Sequence, residues 1–134
     1  MLPKVVFDTN IYISAIIFGG SPKLCLEMAR TGKMRLFVSK DILIELATKL
    51  RVKFNWSDEE VRDVLIGISH FTTVVTPKEK ITFIKDYPTD NIILEVAREA
   101  KVAFIISGDK KHLLSLKEYE NIQIISAADF LKQT

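Results

Sequence analysis

Two aspartates stand where a carboxylate can do chemistry. Lys4-Val5-Val6-Phe7-Asp8-Thr9-Asn10 is a short apolar run that stops on an acid, and Val102-Ala103-Phe104-Ile105-Ile106 is followed in the same way by Ser107-Gly108-Asp109. If the two runs are parallel neighbours in one sheet, both acids project at the same edge, where open sheets bind ligands. Their mutual repulsion then calls for a cation. For one such acid alone the competing reading is a carboxylate that accepts backbone N–H bonds from the next helix. Two on one edge shift the balance toward a site.

Other acids are ambiguous by themselves. Asp90 falls in the first turn of a helix, where the helix dipole favours an acid whatever else it does. Glu45 lies roughly 60° outside the apolar face of its helix, beside the core and not in it. Asp86, four residues before Asp90, sits in a polar loop as a supporting group. Asp41 and Asp129 open helices and have nothing else to recommend them. His70 and His112 lack a Cys or second His at metal-ligand spacing, which removes a zinc reading. Phosphate-loop, dinucleotide and serine-hydrolase motifs do not occur. Carboxylates without histidines or thiols hold hard cations best, and Mg²⁺ shares substrate phosphate oxygens with its oxygen ligands. Such a cluster suits phosphodiester hydrolysis, in which one ion activates water and a second, about 4 Å away, stabilises the leaving oxygen.

The elements that must position these acids follow from periodicity. Residues 11–18 are apolar on nearly every side and end at Gly19-Gly20, which predicts a short buried helix. A second helix is expected from Lys23 to Arg30 behind Pro22, and a strand over residues 34–39. Ile42, Leu43, Leu46, Ala47 and Leu50 have helical spacing, Ser57 to Glu60 form a capping box, and residues 71–75 read as a strand. A helix after Asp90, a strand over 102–106, a short helix at Leu113 to Leu116, a strand over 122–125 and a terminal turn capped by Ser126 complete the chain. Strands alternating with helices predict a three-layer α/β/α sandwich with a mainly parallel central sheet.

The 134 residues, 48% hydrophobic and 27% charged, fit one domain over residues 1–134 with a core of its own. A net charge of +2 permits contact with a polyanion without demanding it. The single Cys25 excludes an intrachain disulfide and reads as a small buried hydrophobe. No apolar run is long enough to span a bilayer and no export signal is evident, so a cytoplasmic location without membrane attachment is expected.

In these motifs the chain resembles the PIN domains, and among them the VapC-like ribonuclease toxins of type II toxin–antitoxin pairs. Val5 to Asn10 is similar to the family's opening motif, Ser39 to Leu46 to the segment carrying the second acid, Asp90-Asn91-Ile92-Ile93 to the third and Ser107-Gly108-Asp109 to the fourth. Each motif is weak alone; four in family order make a specific signal over essentially the whole chain. The resemblance implies that Asp8, Glu45, Asp90 and Asp109 are the catalytic, metal-binding acids, holding one or two Mg²⁺ or Mn²⁺ ions, with Asn10 and Ser107 in support. It implies metal-dependent cleavage of RNA, a homodimer and a cognate antitoxin protein. Lys110 and Lys111, the lysines nearest a proposed ligand, would hold the RNA backbone, or simply form a solvated surface.

Two rivals stand beside this reading. One is a PIN domain that binds RNA or a partner without catalysis. The other is a phosphoryl-accepting receiver domain, which needs an acid pair after the first strand, an Asp after the third and a Lys after the fifth. Here Asp8 is followed by Thr9, Val74 to Pro77 contains no Asp, and Ile125 leads to Ser126-Ala127.

Overall fold

The computed structural model describes residues 2–83, 88–108 and 113–134. Six strands form one sheet: β1 Lys4–Phe7, β2 Arg35–Val38, β3 Thr72–Val74, β4 Phe104–Ile106, β5 Glu118–Tyr119 and β6 Ile122–Ile125, in the order β3-β2-β1-β4-β6-β5. Every pairing is parallel except β5 with β6. The chain thus begins in the middle of the sheet, winds outward through β2 and β3, and returns to the other side of β1 as β4. The winding reverses between β1 and β4, and a crevice opens at such a switch point.

Among the described residues seven α-helices flank the sheet: α1 Thr9–Ile13, α2 Gly20–Arg30, α3 Lys40–Phe54, α4 Asp58–Ser69, α5 Pro88–Ala100, α6 Leu113–Leu116 and α7 Ala127–Lys132. Contacts link α2 to α1 and α7, and α3 to α1 and α4, whereas α5 packs on β1, β2 and β4. Parallel crossovers are right-handed, so the helices on the outward winding and the helix of the return cover opposite faces. That is the three-layer sandwich predicted. It also explains why β1 is apolar from Val5 onward: Val5, Val6 and Phe7 are all fully buried because both faces are covered.

Three elements depart from the sequence reading. The helix expected over residues 11–18 is two pieces, α1 and a π-helical turn Ser14–Phe18, closed by the Gly19 N–H donating to the Ser14 carbonyl at 2.8 Å. Phe18 is 74% exposed and meets the Phe54 ring edge-on, so this stretch is not buried on all sides. The strand β5 was not expected. Helix α5, expected after Asp90, buries residues on more than one side, Asn91, Ile93, Leu94, Glu95, Val96 and Ala97. Its outer side is covered by the segment after β3, whose Ile81 N–H donates to Glu95 Oε2 (2.9 Å) and whose Lys78 N–H donates to Glu99 Oε1 (3.0 Å).

Tyr12 is fully buried, with its ring 5.3 Å from that of Phe7 and no described residue bonding its hydroxyl. Burial pushes this phenol well above its ordinary pKa. A buried hydroxyl without a partner costs about 1–3 kcal/mol. Tyr12→Phe keeps the ring and removes the cost, so urea denaturation should show stability raised by about 1 kcal/mol. A drop of that size would show that the hydroxyl is bonded in solution.

Candidate active site

The site is assembled at the carboxyl ends of β1 and β4. Val6 pairs with Phe37 and Phe7 with Ile106, which brings Asp8 level with Ser39 on one side and Ser107 on the other. The Asp8 N–H donates to the Ile106 carbonyl at 2.9 Å, extending the ladder one residue past the strand. Its side chain is buried. Oδ1 accepts the Asn10 N–H (2.9 Å), which makes Asp8 the N-cap of α1, and Oδ2 accepts the Ser107 hydroxyl (2.8 Å). Capping, one of the two readings of this acid, is therefore real and occupies one oxygen. A carboxylate oxygen carries two lone pairs, so accepting one hydrogen bond does not by itself bar it from a cation.

Glu45 arrives from α3. Ser39 directly follows β2 and caps that helix, its Oγ accepting the Ile42 N–H at 3.2 Å, so the helix starts at the same sheet edge. Glu45 follows about one and a half turns in, beside the core as the periodicity predicts, with its side chain 22% exposed. Lys49, one turn further on, places its ammonium 3.4 Å from Glu45 Oε1 and donates to Asn10 Oδ1 at 3.0 Å. A continuous run of polar contacts therefore joins Ser107, Asp8, Asn10, Lys49 and Glu45 across four elements. Asp90 is partly buried in the first turn of α5, the helix that packs on β1, β2 and β4.

Asp86, Asp109, Lys110 and Lys111 lie outside the described residues. Among the described residues, no three His, Cys, Asp or Glu side chains come close enough to share an ion. The donor chemistry nevertheless fits a hard divalent cation: Asp8, Glu45 and Asp90 offer carboxylate oxygens only, and described neighbours add hydroxyl and amide oxygens. A cleft of about 290 Å³ opens beside this row at the ends of β2 and β3, with Ser39, Lys40, Lys78, Lys80 and Glu95 among its walls. Lys49 was missed from the sequence, although a Lys four residues after a Glu on one helix is a visible signal.

Residues 4–111 match the family model described as the PIN domain, a span that includes Asp8, Glu45, Asp90 and Asp109. The chain belongs to the PIN domain family. This PIN domain is also 35% identical over 121 residues to the uncharacterized protein MJ1680 of Methanocaldococcus jannaschii, covering 86% of the present chain and 76% of that protein. PIN domains are generally nucleases and generally use divalent metal ions, so the family membership points to a nuclease. No single helix among the described residues is long and apolar enough to cross a membrane.

Proposed function

We propose that this PIN domain is a divalent-metal-dependent endoribonuclease. The observation that carries the reading is Asp8 at the switch point between β1 and β4, its two oxygens oriented by the Asn10 N–H and the Ser107 hydroxyl. Asp8, Glu45, Asp90 and Asp109 are the residues that would hold one or two Mg²⁺ or Mn²⁺ ions. The bound ions supply water activation and charge stabilisation at the leaving oxygen. The chain supplies the rest. Asn10 and Ser107 fix the Asp8 carboxylate so that no reorganisation is needed at the moment of reaction. Lys40, Lys78 and Lys80 around the adjoining cleft, interleaved with Asp41, Glu79 and Glu95, would offer the RNA backbone individual phosphate contacts along the sheet edge.

The biological setting proposed is the toxin of a toxin–antitoxin pair, acting in the cytoplasm as a homodimer restrained by a cognate antitoxin. The biochemical test is incubation of purified protein with single-stranded RNA and Mn²⁺. Internal cleavage that EDTA stops and fresh Mn²⁺ restores is the expected result. Cleavage that persists in EDTA would reject a metal-dependent site, and RNA binding without cleavage would show a binding domain instead.

A further inference from the structure

Lys49 is half-withdrawn from water, its side chain 27% exposed, and its ammonium rests between Glu45 and Asn10. A Glu–Lys pair four residues apart on one helix forms readily, so the 3.4 Å contact to Glu45 by itself says little. The shorter contact says more. It crosses from α3 to α1, spans 39 residues of sequence, and ends on the residue whose backbone N–H holds Asp8. A neutral amide oxygen does not balance a positive charge. Among the described residues the ammonium therefore has one anionic partner, Glu45, and that partner is a residue the proposed ions would also claim.

We propose that Lys49 is a phosphate ligand for the RNA strand, stationed at the mouth of the crevice by Asn10 and Glu45. The inference rests on the endoribonuclease reading. With Glu45 engaged by a divalent cation, the ammonium would retain Asn10 alone among its described partners, and the anion that enters the crevice with the substrate is a backbone phosphate. A four-carbon stem lets the charge reach that phosphate while α3 stays fixed. The contact is with the backbone, so Lys49 contributes to binding equally for every RNA sequence.

The assignment carries an unusual signature. Glu45 is shared, so removing the ammonium weakens RNA binding while leaving metal affinity equal or higher; a merely structural staple would lower both. The test compares wild type, Lys49→Gln and Lys49→Arg. Fluorescence anisotropy with two fluorescein-labelled single-stranded RNAs of different sequence, with Ca²⁺ in place of Mn²⁺ so that the acids can take a divalent cation, across a salt series, reads RNA affinity. Mn²⁺ titration followed by electron paramagnetic resonance, without RNA, reads metal affinity. Lys49→Gln should bind both RNAs about tenfold more weakly, with the slope of log affinity against log salt shallower by about 0.7. Mn²⁺ should bind it at least as tightly as wild type, and Lys49→Arg should restore most of the RNA affinity.

If Lys49→Gln binds RNA within about twofold of wild type with an unchanged slope, the assignment falls and the nuclease reading stands. Joint loss of RNA affinity, Mn²⁺ affinity and melting temperature would also overturn it, in favour of a staple between α1 and α3. Wild-type protein that binds neither RNA would remove the nuclease reading and this inference with it.

Discussion

Asp8→Asn is expected to fold, to melt no lower than wild type, and to cleave RNA about two to three orders of magnitude more slowly with Mn²⁺. The asparagine keeps an oxygen for the Asn10 N–H. Its amide N–H faces the Ser107 hydroxyl, which can accept as well as donate, so both bonds that orient position 8 survive with one reversed. What disappears is the negative charge that, in the proposed site, would attract a cation to the switch point. Acids gathered at one sheet edge repel one another when no cation is bound, so removing one trades activity for stability. Thermal melting without metal and cleavage with Mn²⁺ check the two halves. Cleavage at the wild-type rate would show either that Asp8 holds no ion or that the activity belongs to a contaminant. A collapsed melting temperature would mean that the carboxylate charge of Asp8 itself stabilises the fold, since the asparagine keeps the capping oxygen.

Leu94→Ala should be the most destabilising of the substitutions considered. Leu94 is fully buried on α5, the helix packed against β1, β2 and β4. Truncation removes its transfer energy and leaves a cavity that close-packed strands cannot fill, a loss of about 2–5 kcal/mol. Val52, 78% exposed on α3, provides the contrast: Val52→Ala should change stability by less than about 0.5 kcal/mol. Urea denaturation with an unchanged slope measures both. The site should register the first change too, because Asp90 lies one turn before Leu94 and is positioned by the same packing. Mn²⁺ affinity should therefore fall in Leu94→Ala under conditions where the protein remains folded. A stability loss under about 1 kcal/mol would show that α5 repacks over the switch point.

The architecture was legible because its strands are extreme. Runs such as Val5-Val6-Phe7 and Phe104-Ile105-Ile106 are apolar at every position, which parallel strands covered on both faces require. The capping box of Ser57 and Glu60 was equally plain, and both of its hydrogen bonds form. Glu45 at the flank of its helix followed from the 100° rotation per residue. Other features depend on information that a single chain does not display. The turn before β6 places Glu120 and Asn121 at φ +48° and +68°, left-handed positions that glycine would have advertised. The π-helical turn has the same apolar residues as an α-helix and differs only in which carbonyl the closing N–H selects. The all-round burial of α5 comes from a segment whose docking depends on Glu95 and Glu99, residues that read as solvated acids. Lys49 needed the topology: its partner Asn10 becomes adjacent only when α1 packs on α3.

The sheet is also terminated in a way that bears on self-association. Its outermost strands are the three-residue β3 and the two-residue β5. A strand edge with open N–H and C=O groups invites another chain to extend the ladder, and long flat edges are the usual templates for aggregation. Two or three residues offer too few donors and acceptors to hold an incoming strand, and β5 adds the charge of Glu118. A protein that concentrates its hydrophobicity in continuous apolar strands thus confines them to the middle of the sheet and keeps its borders too short to polymerise.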